Sequence, residues 1–253
     1  MNKFYFIFQN FFQNKYTFFI LYHLIHANIF FAFIQKTFFK YFRYKKLLFC
    51  TNNLNIPFSH YSSFLFKTYE INDRVMMEKF ITKKNKCIIV GTGIGFTTVL
   101  AYQLSKNKVL SLEIDERLKN IIEKNFSLNK IKYELIFKNI SFNKKKLKSY
   151  FKLKDNFLEN NKNDKYGKKI IVDNIYYKDL KLSEYNTMII DAEGYEFEIL
   201  TKVKKLKSIK NIFFELHPKI LSGYQQKKLF RSLFESGYVK QLDFLNTFFY
   251  KKI

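Results

Sequence analysis

The run Cys87-Ile88-Ile89-Val90-Gly91-Thr92-Gly93-Ile94-Gly95-Phe96 constrains this chain more than any other stretch. Four apolar residues without alternation predict a strand buried on both faces, as in a parallel sheet. The glycines that follow predict a tight turn, and Gly95–Ser105 predicts a helix. A second apolar strand is expected over 108–113, with Val109-Leu110-Ser111-Leu112 as its core and Glu113 as its last residue. Strand, glycine turn, helix and strand together define the start of an open α/β sheet, whose ligand sites lie at the carboxyl ends of the strands.

The glycine spacing narrows what such a turn can hold. An acid closing the second strand, 22 residues after Gly91, suits the hydroxyls of a ribose. A dinucleotide fingerprint needs glycines at relative positions 1, 3 and 6; position 6 here is Phe96, and the third glycine comes one residue early. No Lys-Ser/Thr pair follows, so a P-loop is excluded. Gly-x-Gly-x-Gly with an acid ending the next strand resembles the S-adenosylmethionine (SAM) site of class I methyltransferases.

Alternation continues along the chain. Helices are expected over 72–81, 116–125, 197–206 and 224–236. Strands are expected over 133–138, 187–190 and 211–216, with a further extended piece over 172–177. A terminal hairpin, 238–242 with 247–252, would add an antiparallel edge to a mostly parallel sheet with helices on both faces. Residues 141–169 are Lys- and Asn-rich with little periodicity and read as an insertion or loop, with room for a short extra strand or helix.

The second strong feature is Asp191-Ala192-Glu193-Gly194-Tyr195-Glu196-Phe197-Glu198, directly after the apolar strand Met188-Ile189-Ile190. Asp191 and Glu193 are expected to project at the ligand rim. Glu196 and Glu198 suit the start of a helix, where acids are favourable.

With these pieces in place the chain resembles the FkbM-type family of SAM-dependent methyltransferases over residues 64–252. The matching pieces are Tyr69-Glu70, Gly91–Phe96, Glu113, Asn125, Asn129, Asp191–Glu196 and Phe214-Glu215-Leu216-His217-Pro218. The resemblance implies a class I methyltransferase fold over 64–253, SAM as cofactor, and O-methylation of a glycan or similar small molecule, as in polysaccharide biosynthesis. It places Gly91, Thr92, Gly93, Gly95, Glu113 and Asn139 around the cofactor. Methyl transfer to a hydroxyl needs a proton acceptor, and Asp191, Glu193 and His217 are the candidates. One departure is Ile89, two residues before the first glycine, where the family commonly has an acid.

The net charge of +24 invites a nucleic-acid reading. Only Arg43, Arg74, Arg117 and Arg231 are arginines among 45 basic residues, and heavy Lys, Asn, Ile and Phe use suits an AT-rich genome. Nucleic acid is therefore not the expected partner. An RNA methyltransferase and a catalytically silent, membrane-associated interaction module stay as alternatives. Cys50 and Cys87 make no disulfide framework, which fits a reducing cytoplasm. None of the four histidines has metal-ligand spacing with cysteine, so no metal site is expected.

Residues 1–63 read as an aromatic, basic, helical extension. Nineteen of the 50 Phe and Tyr residues lie in 1–50, and no acid precedes Glu70. Residues 17–34 are nearly all apolar but short for a span, and lysines interleaved with aromatics follow. Three readings stay open: a helix in the headgroup layer at the inner membrane face, a packing element, and a true span. No cleaved leader is expected.

Overall fold

A computed structural model describes residues 29–52, 54, 56, 58, 61–153 and 168–253. The chain divides into two compact units, residues 1–69 and 70–253. The boundary falls six residues after the expected one.

In the first unit, α1 (Ile29–Phe38) precedes a hairpin of β1 (Tyr41–Tyr44) and β2 (Leu47–Cys50), then α2 (Tyr61–Leu65). The hairpin corrects the all-helical expectation. Tyr41-Phe42-Arg43-Tyr44 alternates exposed and buried, the period of a strand. Lys45 takes a left-handed φ of 52° and closes the turn. Phe42 stacks on Phe49 and on Phe64, with ring centroids 5.0 and 4.9 Å apart. Aromatic cross-strand pairing thus decides the structure that interleaved lysines obscured. Among the described residues no helix is long and apolar enough to cross a membrane; residues 17–28 of the apolar segment lie outside them.

The second unit begins with α3 (Ile71–Phe80) and β3 (Cys87–Val90). It continues through α4 (Phe96–Ser105), β4 (Val109–Leu112), α5 (Lys119–Leu128) and β5 (Tyr133–Ile136). A small sheet follows, of β6 (Asn139–Ser141), β7 (Lys148–Leu153) and β8 (Lys168–Tyr176). Then come β9 (Thr187–Ile190), α6 (Glu196–Leu200), β10 (Asn211–Glu215), α7 (Gly223–Glu235), β11 (Tyr238–Phe244) and β12 (Thr247–Lys252).

The main sheet has seven strands in the order β11-β12-β10-β9-β3-β4-β5. The five strands from β10 to β5 are parallel, and β12 runs antiparallel to β10 and to β11. This is the class I methyltransferase order, with the expected hairpin at one edge. The chain runs outward from β3 to β5, then returns to the other side of β3 at β9. The switch point, where such sheets hold ligands, lies between β3 and β9.

Residues of the central strands separate by parity. Ile88, Val90, Leu110, Leu112, Met188, Ile190, Ile212 and Phe214 belong to one core cluster that α6 and α7 close with Leu200, Leu229 and Leu233. Each such buried side chain contributes roughly 1.5–3 kcal/mol. On the opposite face Phe249 meets Phe80 of α3 and Phe213 of β10, at 4.3 and 4.4 Å between centroids. That packing fixes where α3 starts, and so where Glu70 and Asp73 sit.

The small sheet occupies part of the expected insertion. Lysines point outward from β7 and β8 while Phe151 and Val172 are buried. Residues 154–167 of that stretch lie outside the described residues.

Candidate active site

Four strand ends converge on one rim. The β-ladder continues past β3 and β4: the Gly91 N–H donates to the Leu112 carbonyl (3.0 Å), and the Glu113 N–H to the Ile136 carbonyl (3.1 Å). The Asp191 N–H donates to the Val90 carbonyl at 2.9 Å, which brings the end of β9 against the glycine turn. Gly91 has φ +87°, and a Cβ there would lie 1.7 Å from the Asp191 carbonyl oxygen. Only glycine allows these two backbones to approach so closely. The turn is also anchored from α5, where the Asn125 amide donates to the Ile94 carbonyl at 2.8 Å.

Glu113 ties the turn to β4. Its Oε2 accepts from the Thr92 and Gly93 N–H groups, both at 2.9 Å. Its Oε1 accepts from the Ile114 and Asp115 N–H groups at 2.7 and 3.0 Å. Burial pushes this carboxyl above the ordinary value, and the amide bonds from Asp115, Ile114 and Gly93 pull it back. A carboxylate has about four lone-pair positions, so backbone donors fill all of them. A ligand hydroxyl reaches Glu113 only by replacing one of these amides.

Asn139 lies elsewhere. It opens β6, is buried, and its amide nitrogen shares its two hydrogens among the Asn174 side chain (2.7 Å), the Tyr195 hydroxyl (2.9 Å) and Ser149 Oγ (3.3 Å). These bonds make Asn139 part of a polar clamp between the small sheet and the loop after β9. The Tyr195 hydroxyl completes that clamp by donating to the Ile140 carbonyl at 2.9 Å.

The acidic segment after β9 folds around His217, which follows β10. Glu193 and Gly194 take consecutive left-handed conformations, φ 44° and 95°, and turn the chain so that Glu196 faces inward. Glu196 is fully buried. Its Oε2 accepts from the Gly194 N–H (2.7 Å) and its Oε1 from the His217 N–H (3.0 Å), with His217 Nδ1 3.2 Å away. His217 Nε2 lies 3.7 Å from Asp191 Oδ1 and 3.6 Å from Glu193 Oε2. Burial alone would lower the His217 imidazole. The Glu196 hydrogen bond and the charges of Asp191 and Glu193 outweigh it and raise it to about 10. A value near 10 favours the imidazolium at neutral pH, a charged group set between carboxylates. Burial pushes the Asp191 carboxyl up, and His217 draws it back down.

Two carboxylates that the sequence did not single out for this rim are Asp73, on the first turn of α3, and Glu215, the last residue of β10. Asp73 is buried and its carboxyl is held well above the ordinary range by burial and by Glu70, Asp191 and Glu215. Burial, with Asp191, Glu70 and Glu193, raises Glu215 to about 9 against a downward pull from His217. Glu215 was visible only as part of the Phe-Glu-Leu-His-Pro match, and Asp73 carried no local signal. The Ile89 position, in contrast, is fully buried within the sheet.

No protein-family model matches the chain, and no curated protein matches it. Among solved structures, it is similar to a ribosomal protein L11 methylase from Lactobacillus delbrueckii subsp. bulgaricus, at 17% identity over 72% of this chain and 77% of that one, TM-score 0.41. It is also similar to a methyltransferase from Pyrococcus furiosus, at 13% identity over 88% and 95%, TM-score 0.45. The fibrillarin pre-rRNA processing protein of Methanococcus jannaschii is a third, at 11% identity over 68% of each chain, TM-score 0.45. The fold assignment rests on the strand order of the sheet, which these likenesses accompany.

Proposed function

We propose that this protein is a SAM-dependent O-methyltransferase of the FkbM type, acting on a hydroxyl of a glycan or similar small molecule. The observation that carries the reading is the meeting of Gly91, Glu113 and Asp191 at one switch point of the sheet. The donor set fits the cofactor. A left-handed glycine turn presents the Thr92 and Gly93 amides, and a rim carboxylate is within reach of the same place. When bound, SAM supplies an activated methyl group on a sulfonium. Glu113 and the Thr92 and Gly93 amides, which now bond to one another, would hold the cofactor.

The chain's remaining task is to align an acceptor hydroxyl and remove its proton. Asp191 or Glu193 would accept the proton of the acceptor hydroxyl as the methyl group is transferred. His217, bonded to Glu196, lies 3.7 and 3.6 Å from those carboxylates and attracts them by charge. Such a base contributes about 10²- to 10⁴-fold.

Methyl transfer from SAM to hydroxyl-bearing saccharides, followed as release of S-adenosylhomocysteine, checks this. Asp191→Asn combined with Glu193→Gln is expected to lower kcat by at least about 100-fold. Unchanged turnover in the folded double variant would refute the assignment.

Residues 1–50 retain the proposed role of peripheral contact with the inner membrane face, with the second unit in the cytoplasm. Support comes from Phe30, Phe33 and Phe38 of α1, exposed by 66%, 54% and 70% beside Lys36.

A further inference from the structure

We propose that the rim also holds a divalent cation of the oxygen-preferring class, Mg²⁺ or Mn²⁺, between Glu70, Asp73 and Asp191, with Glu215 beside them. One carboxylate oxygen from each of Glu70, Asp73 and Asp191 lies within 4.8 Å of the others. Asp191, Glu215 and His217 form a second such group, so Asp191 belongs to both. Three elements distant in sequence supply these residues: the start of α3, the end of β9 and the end of β10.

The second, independent observation is Asp73 itself. It is 3% exposed; the Thr247 hydroxyl is near its carboxyl and draws its pKa down, but its Oδ2 has no partner within hydrogen-bond geometry. A buried carboxylate oxygen without a donor is costly, and a cation satisfies it. His217 answers Asp191, Glu193 and Glu196. Asp73 and Glu215 make no ion pair with any described residue. Carboxylate-only donors at this spacing suit a hard cation rather than zinc or copper.

The site is defined by the cluster alone. Only its consequence rests on the methyltransferase reading: a cation on Asp191 would sit where the acceptor hydroxyl arrives and make that hydroxyl more acidic.

The test is a calorimetric titration of the chelator-treated full chain with MnCl₂, without SAM, repeated for Asp73→Asn and Glu215→Gln, with melting temperatures taken with and without metal. The wild type is expected to take up one Mn²⁺ with Kd below about 1 mM and to melt higher when loaded. Each variant is expected to bind at least about tenfold more weakly. Metal-free, each should melt at or above the wild type, because a carboxylate repulsion has been removed. Should Asp73→Asn fail to fold, Glu215→Gln decides. Absence of Mn²⁺ uptake by the folded wild type, or equal uptake by all three proteins, overturns the site. So does a pattern in which Asp73→Asn weakens SAM binding while the wild type takes up no metal. A SAM titration of the wild type is read separately, so loss of the cofactor reading leaves the cation result standing.

Discussion

Gly91→Ala is expected to unfold the chain or to lower its melting temperature by at least about 10 °C. The added Cβ would lie 1.7 Å from the Asp191 carbonyl oxygen, far inside van der Waals contact. Both partners are backbone, so no side-chain rotation relieves the clash. The φ of +87° adds roughly 1–2 kcal/mol for any L-residue. The two effects together exceed about 4 kcal/mol, a large share of a typical stability of 5–15 kcal/mol. At this chain length one kcal/mol moves the melting point by about 2–4 °C. Gly237→Ala serves as comparison. It too has a positive φ, 80°, but the nearest atom a Cβ would meet is the end of the flexible Lys252 side chain at 4.0 Å, so the expected loss is only the conformational ~1–2 kcal/mol. Equal melting points for the two variants would show that β3 and β9 do not meet as described.

The second large effect concerns Glu113. Glu113→Ala removes the acceptor of four backbone N–H groups and opens the turn that they stitch to β4. A loss of about 2–4 kcal/mol in stability follows, below the full sum because water reaches part of the rim. SAM affinity is expected to fall about 100-fold, or ~2.8 kcal/mol. Glu113→Gln separates the two. It keeps one oxygen and the side-chain volume, so it should recover most of the stability while binding SAM at least tenfold more weakly than wild type. Calorimetric titration beside thermal melting reads both quantities. A Gln variant that binds SAM as tightly as wild type would confine Glu113 to bracing the turn.

The core of the second unit could be read from the chain because its strands are unbroken apolar runs. Cys87–Val90 and Thr187–Ile190 match the expected strands residue for residue. The helix expected over 197–206 is shorter: α6 ends at Leu200, and the lysines at 202, 204 and 205 follow in a turn and a 3₁₀ segment. The 141–169 stretch hid β7 and the start of β8 because lysines on their exposed faces masked the alternation. The β1–β2 hairpin was missed for the opposite reason: aromatics occupy both faces, and interleaved lysines mimic an amphipathic helix.

The site was readable where chemistry is local. Gly91, Glu113, Asp191 and Glu193 each close a strand or open a turn, and strand ends are where such sheets bind ligands. Asp73 looks like any acid in a first helical turn. Its proximity to Asp191 and Glu215 comes from α3 packing on β10 and β12, a contact over more than 100 residues of chain. Asn139 follows the expected strand three, but the chain breaks there and begins a different sheet.

The account depends on the glycine turn, Glu113 and Asp191 forming one cofactor pocket. Calorimetric titration of the folded wild-type chain with SAM tests that most directly. One site per chain with Kd in the range of about 1 μM to 1 mM is the result the account predicts. No heat of binding and no shift in melting temperature at millimolar SAM, from a sample that melts cooperatively, would contradict it.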